Sequence, residues 1–390
     1  MISFVGTQLT IVAAPIQIFS LTSSSFAVGL LGLVQIVPLI IGSLVGGALA
    51  DAYDRRKLLL IAQLPLMATS AGLALNALSG SPKVWIIYLL AGLAAAFSGL
   101  DAPTRAAATP TLVDRPLLPS ALALSQLIMQ TGAVIGPAVA GIVIAAFNVS
   151  AAYWLDVVSF TAAIVALLLM SPMIPHGGGT KASGSSILEG LHFLKGRRAV
   201  QGTFIIDINA MVFGMPRALF PAIGLTVFGG TAATVGLLYA APGLGALIGT
   251  IFSGWLRDID GAGRGVLYAV LVWGAAIAVF GLVPWLVVAL LLLAIAGAAD
   301  MVSAVFRNSV LQLSVPDRLR GRLSSIHIAV VTGGPRLGDL ESGTVAALTT
   351  PTFAVVSGGL ACMAGVAVIA KLLPELGHWR LSEHALTADD

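Results

Sequence analysis

Residues 25 to 50 run Ser25-Phe26-Ala27-Val28-Gly29-Leu30-Leu31-Gly32-Leu33-Val34-Gln35-Ile36-Val37-Pro38-Leu39-Ile40-Ile41-Gly42-Ser43-Leu44-Val45-Gly46-Gly47-Ala48-Leu49-Ala50, and Asp51-Ala52-Tyr53-Asp54-Arg55-Arg56-Lys57 follows at once. The first stretch has no charged side chain. A helix of roughly 20 apolar residues crosses about 30 Å of hydrocarbon, so this stretch is long enough to span a bilayer. The cations that end it mark a short basic loop at one membrane face. Only a helix satisfies so long an apolar backbone internally, because the alternating strands of a membrane barrel do not produce unbroken runs.

The whole chain has the same character. Of its 390 residues 58% are hydrophobic and 9% are charged, with a mean hydropathy of +1.00. Soluble globular proteins carry about 25% charged residues, so too little polar surface exists here for a water-exposed body. Intrinsic disorder needs the opposite composition. A disulfide scaffold is excluded by the single cysteine, Cys362. The 44 glycines and 19 prolines suit membrane helices. The net charge of +3 does not point to nucleic acid, because the cations sit in short runs between apolar stretches. The chain is an all-α integral membrane protein.

The span rule places twelve transmembrane helices, near 2–21, 26–50, 58–78, 84–108, 118–146, 150–171, 199–228, 233–256, 266–283, 285–310, 322–349 and 352–373. The opening segment lacks a basic start and a cleavage site, and reads as the first span, not a signal peptide. Basic residues of short loops set orientation. Arg55, Arg56, Lys57, Arg115, Lys181, Lys195, Arg197, Arg198, Arg257, Arg264, Arg318, Arg320, Arg322, Lys371 and Arg380 fall on one side, and Lys83 alone on the other. Both termini and the central loop are therefore expected in the cytoplasm, with the chain in the cytoplasmic (inner) membrane. The expected division is a six-helix bundle over 1–171, a cytoplasmic linker over 172–198, a second bundle over 199–373 and a cytoplasmic tail over 374–390. Ile187, Leu191 and Leu194 recur in the linker at helical spacing above a basic end, which predicts an amphipathic helix at the membrane surface.

The two halves echo each other. Gly47-Ala48-Leu49-Ala50-Asp51 matches Gly254-Trp255-Leu256-Arg257-Asp258, Asp114-Arg115 matches Asp317-Arg318, and Gly136-Pro137 matches Gly334-Pro335. The offsets are 207, 203 and 198 residues, as expected for one duplicated six-helix unit with small indels. Pseudo-symmetric bundles of this kind, with a site at the midplane between them, describe an alternating-access transporter.

The loop from Gly47 to Lys57 resembles the cytoplasmic loop signature of the major facilitator superfamily, with Asp54 where Gly is usual. The run Gly132-Ala133-Val134-Ile135-Gly136-Pro137-Ala138-Val139-Ala140-Gly141 resembles the fifth-helix signature of its drug–proton antiporters, with Ala140 in place of a usual Gly. Ala14-Pro15-Ile16-Gln17 and Val28-Gly29-Leu30 are similar to the branch of siderophore exporters and multidrug-efflux proteins. The resemblance implies proton antiport of a small molecule, either a siderophore such as enterobactin or hydrophobic drugs, by a monomer. It further implies a gate at Gly47, Asp51, Arg55 and Arg56, echoed at Gly254 and Asp258, with Asp51 and Arg55 as its polar pair. In the fifth helix, Gly132, Gly136 and Gly141 permit close packing and Pro137 a kink; the resemblance adds that this packing seals the far side.

Charges inside spans cost several kcal/mol unless paired or hydrated, so each embedded one is informative: Asp101, Arg105, Asp156, Asp207, Arg217, Asp300, Arg307, Arg336, Asp339 and Glu341. Asp101 and Arg105 stand four apart on one helical face, and Asp300 and Arg307 seven apart, as structural or gating pairs. In the eleventh span Arg336 lies past the midplane, with Asp339 and Glu341 beyond it. One arginine cannot neutralise two acids, so Asp339, Glu341 and, on the seventh span, Asp207 are the proton-coupling candidates. Asp300 is a further one, and the alternative is that these acids only pin helices together. Arg217, Arg336 and Arg307 are the candidate partners of substrate or acid. Met211, Phe213, Met215 and Phe220 either wall a cavity or pack.

No lysine follows a glycine, which removes the phosphate loop of an ATP-driven pump. His327 and His192 have no metal-ligand partner at useful spacing. No cofactor, no metal and no catalysis are expected. A non-transporting receptor or scaffold on the same fold is the alternative, with a channel third. Two gating motifs in paired halves favour the transporter.

Overall fold

The computed structural model describes residues 2–174, 194–315 and 317–382, which are helical apart from turns and contain no strand. Twelve long helices follow one another: α1 (Ile2–Thr22), α2 (Ser25–Ala52), α3 (Arg55–Leu78), α4 (Val84–Leu112), α5 (Leu118–Ala146), α6 (Val149–Leu169), α7 (Arg198–Phe213), α8 (Ala232–Ile251), α9 (Ala262–Phe280), α10 (Leu286–Ser314), α11 (Asp317–Leu348) and α12 (Pro351–Leu372). A five-residue α13 (Pro374–His378) follows. Among the described residues eleven helical stretches are long and apolar enough to cross a membrane. The twelfth crossing, α11, is the one loaded with the embedded Arg336, Asp339 and Glu341. The amphipathic helix expected from Ile187 to Leu194 lies largely outside the described residues.

Local chemistry places the starts. Ser24, Asn148 and Thr350 each accept a bond from a backbone N–H three residues on, capping α2, α6 and α12. Asn148 therefore separates α5 from α6 across a connection of only two residues.

The seventh span departs from a single rod. It breaks after Phe213, where Pro216 has no N–H to donate and disfavours helix at Met215. The freed Gly214 carbonyl accepts from the Trp273 indole N–H at 2.8 Å, so the break leaves that group satisfied. The chain continues as a 3-10 turn (Arg217–Leu219), one α turn (Phe220–Ala222) and a π turn (Ile223–Val227). Gly229, at φ +56°, then turns it into α8.

Packing divides the chain into two units, Met1–Ala182 with Phe220–Ala240, and Ser183–Leu219 with Ala241–Asp390. The hairpin of residues 220–240 thus packs with the first six helices, not with the rest of 199–373. In the first unit α2 and α4 approach by small residues: a Cβ on Gly99 would meet the Leu39 carbonyl at 2.5 Å, and one on Gly42 would strike the Ala96 carbonyl. The second unit repeats this contact between α8 and α10, with Gly245 against the Ala294 carbonyl and Gly297 against that of Pro242. Likewise α5 lays Gly132 and Gly136 on Phe4 and Gln8 of α1, and α11 lays Gly334 and Gly338 on Met211 of α7. The duplication is thus visible in packing as well as in sequence.

Large apolar side chains such as Ile41, Leu44, Trp85, Leu89, Trp285 and Val287 stay exposed on the outer faces, as in helices solvated by lipid. The segment after α12 is docked: Leu376 and Trp379 are buried, and the Trp379 indole donates to Ser314 Oγ at 3.1 Å. The Ser382 amide donates to Asp260 Oδ1 at 2.7 Å. That bond, ahead of the nearby Arg380 charge, holds the Asp260 carboxyl below the usual range.

Candidate functional site

The loop between α2 and α3 is a capping device. Asp54 Oδ1 accepts from the amides of Arg56 (3.0 Å) and Met173 (2.9 Å), which starts α3 and ties it to the chain after α6. Arg56 donates from Nε to the Leu167 carbonyl (2.8 Å) and from Nη2 to that of Leu168 (2.7 Å). These are carbonyls of the last turn of α6, of which Leu167 also accepts from the Met170 amide, and a cation there is favoured by the helix dipole. Arg55 Nε donates to the Ala50 carbonyl at 3.2 Å. The expected Asp51–Arg55 pair is therefore absent among the described contacts, and Asp51 is exposed at the end of α2. Asp54, the departure from the loop signature, caps α3. Gly46, whose Cβ would meet Leu100 Cα at 2.7 Å, makes the close approach to α4; Gly47 and Gly254 face open space. Asp258 is exposed in a 3-10 turn (Ser253–Asp258).

Asp101 and Arg105 form the expected i,i+4 pair at 2.7 Å, with Gln63 Nε2 also donating to Asp101 at 3.1 Å. Arg105 is half exposed, so this pair orients α3 and α4 at one end more than it stabilises them.

The α5 glycines work on two sides. Gly132 and Gly136 meet α1, as described above. Gly141 meets the start of α8, where its Cβ would stand 2.7 Å from the Ala232 carbonyl and 2.9 Å from Gly236 Cα. Gly236 in turn lies against the Pro137 carbonyl. Proline supplies no N–H of its own, and here its carbonyl is where the neighbouring helix comes closest. Gly236 was not singled out in the sequence, where a glycine in an apolar span has no mark of its partner.

The second unit sets two acids around one arginine, with Arg217 also within electrostatic reach of Asp300. Arg307 Nη1 stands 2.8 Å from Asp207 Oδ1 and Nη2 3.7 Å from Asp300 Oδ1. Arg307 and Asp207 are 4% and 1% exposed, which makes them a desolvated pair joining α7 to α10, while Asp300 is 34% exposed. Of the three arginines offered as candidate partners, Arg307 is the one that pairs with Asp207. His327 stands edge-on to Phe204, centroids 6.2 Å apart, and within electrostatic reach of Arg307.

Asp339 has a backbone partner. Its Oδ1 accepts from the Ala218 amide at 3.0 Å, in the 3-10 turn that resumes the broken seventh span. Arg217 and Arg336 lie within electrostatic reach of it, and Arg336 Nη1 itself returns to the Thr332 carbonyl at 2.5 Å. Asp339 thereby ties α11 to the break in span 7. Glu341, two residues further on, is half-buried. Met211 is buried beneath Gly334, and Phe220 packs edge-on to Tyr239 at 5.0 Å, so these two pack and do not line a cavity. Among the described residues no group of His, Cys, Asp and Glu is disposed to hold a metal.

One embedded acid, Asp156, was given no role by the sequence. Asp156 of α6 is 1% exposed and is surrounded by hydroxyls: Thr10 Oγ1 at 2.7 Å, Ser70 Oγ at 2.7 Å and Ser159 Oγ at 3.3 Å.

Duplicated six-helix halves, a broken span and membrane-buried charges define a secondary transporter of major facilitator architecture. The chain belongs to the family of transmembrane secretion effectors, whose profile matches residues 1–385. It is a multi-pass membrane transporter that exports a small molecule, and not an enzyme. The enterobactin exporter EntS of Escherichia coli is 32% identical over 389 residues, covering 100% of this chain and 93% of that protein. Among solved structures, a POT family transporter in complex with 5-aminolevulinic acid superposes with a TM-score of 0.75 at 12% identity, over 96% of this chain and 95% of that one. The nucleoside transporter NupG gives 0.75 at 13% identity, over 96% and 98%. These two likenesses establish the fold.

Proposed function

We propose that the protein exports a siderophore of the enterobactin class, or a comparable hydrophobic compound, in exchange for protons. It acts as a monomer in the cytoplasmic membrane with both termini inside, an orientation that the basic loops support. The similarity to EntS over the full chain supports the substrate class. The observation that carries the proton reading is the cluster on α7 and α10. Two carboxylates, Asp207 and Asp300, share the Arg307 guanidinium inside a membrane span, with Arg217 also within electrostatic reach of Asp300. A proton on Asp300 leaves Asp207 and Arg307 as a closed ion pair, and its loss returns Arg307 to being shared by two acids. Asp300 is the preferred carrier, because it is farther from Arg307 and more accessible than Asp207. Asp339, held by the Ala218 amide, and Glu341 follow it. Asp51, Arg55, Arg56, Asp101, Arg105, Gly254 and Asp258 are proposed as the inner gate, and Gly132, Gly136, Pro137 and Gly141 as the outer seal.

The test is efflux of enterobactin, and separately of ethidium, from proteoliposomes under an imposed pH gradient. The parent should accumulate substrate uphill only with the gradient. Asp300→Asn should lose uphill movement and retain one-for-one exchange, which needs no net proton. Substrate movement in the parent that ignores the gradient would sink antiport. A gradient built by Asp300→Asn but not by Asp339→Asn would move the carrier to Asp339.

A further inference from the structure

Asp156 sits about 10 Å along α6 from its Val149 end, at the meeting of α1, α3 and α6. No charged group among the described residues acts on it; what surrounds the carboxyl is Thr10 and Gly6 of α1, Ser70 of α3 and Ser159 of its own helix. A carboxylate in a membrane span without a cation is costly. The hydroxyls are arranged so that the neutral form is also fully satisfied. Thr10 and Ser70 both donate to Oδ2, each at 2.7 Å. Ser159 Oγ stands 3.3 Å from Oδ1, yet its one hydrogen has a shorter path to the Asp156 carbonyl, at 2.7 Å. A hydroxyl carries one donor and two acceptor lone pairs, so Ser159 Oγ is left able to accept from Oδ1.

The cage therefore provides two donors for one carboxyl oxygen and an acceptor for a proton on the other. Glycine at position 6 makes room for it: a Cβ there would strike Ser159 Oγ and would stand 2.6 Å from Asp156 Oδ1. A purely structural acid of this kind would need only the two donors.

We propose that Asp156 is a proton-binding site in the first unit, which takes up and releases a proton at the junction of α1, α3 and α6. It is separate from the acids of the second unit. Its part in driving export rests on the antiport reading above, whereas proton binding itself does not. When Oδ1 is protonated its O–H donates to Ser159 Oγ and the three helices are joined by a neutral network. When the proton leaves, Thr10 and Ser70 hold the anion and Ser159 keeps its bond to the carbonyl, so no hydroxyl is stranded in either state.

The experiment is infrared difference spectroscopy of the purified full chain in lipid nanodiscs, titrated from acid to alkaline pH without substrate. A carboxylic C=O band that disappears reversibly as pH rises should be present in the parent and in Asp300→Asn, and lost in Asp156→Asn. Ser159→Ala, which removes the acceptor of that proton, should make the band vanish at a lower pH than in the parent. A parent lacking the band at every pH, or Asp156→Asn retaining the parent's full set of bands, overturns the site, whatever the efflux assay returns. A band that never disappears also overturns it, since the acid would then be a permanent structural donor. If the band behaves as stated while efflux ignores the pH gradient, the proton site stands and antiport falls.

Discussion

Arg56 and Asp51 were both assigned to one gate by their positions in a loop, and the structure separates them. Arg56 holds two terminal carbonyls of α6, while Asp51 is exposed and touches none of the described groups. Losing a cation that bonds the exposed C-terminal end of a helix costs about 0.3–1 kcal/mol. Arg56→Ala should therefore lower the thermal midpoint of the purified protein. Asp51→Asn should leave the midpoint unchanged and still reduce efflux, since a carboxylate spared from structural duty is available to the gate. If Asp51→Asn transports as well as the parent, the aspartate has no gating role. At this scale, legibility followed sequence distance. Asp101 and Arg105 are one helical turn apart, and their pairing could be read directly. Asp207 and Arg307 are a hundred residues apart, and nothing in either neighbourhood names the other. Asp156 was legible as an embedded charge but not in its role, because its partners are hydroxyls from α1, α3 and α6, and serine and threonine carry no mark when read singly.

The long helices were readable because a bilayer demands about 20 apolar residues from each. The break in α7 was not, since glycine and proline are common in membrane helices and often leave them continuous. Helical phase was equally hidden: Gly46 and Gly47 look alike in sequence, and only the first faces α4. The difference is measurable. Gly136→Leu should push α5 off Gln8 of α1, with overpacking of about 1–3 kcal/mol or more, and abolish efflux. Gly47→Leu, which meets nothing within 4 Å, should leave membrane abundance and thermal stability near the parent's. Equal damage from both would mean that the glycines act through backbone freedom and not through packing.

For the molecule as a whole, the duplication makes a quantitative demand. Gly42 with Ala96 and Gly245 with Ala294 are the same contact made twice, once in each unit. Gly42→Leu and Gly245→Leu should therefore cause comparable losses of folded protein and of efflux, scored by membrane abundance and by transport from proteoliposomes. A marked inequality would show that one half tolerates distortion the other does not.

The hairpin of residues 220–240 has a further consequence, for the order in which the protein is made. Synthesis runs from the N-terminus, so α1 to α6 enter the membrane while the segment that covers Gly141 is still to come. The first half must wait in the bilayer with that glycine face bare until α8 has been translated. Its own completion thus lies downstream of the first stretch of the second half. The ribosome must pass residue 240 before either unit can close, so a duplicated protein cannot finish its first copy before beginning its second.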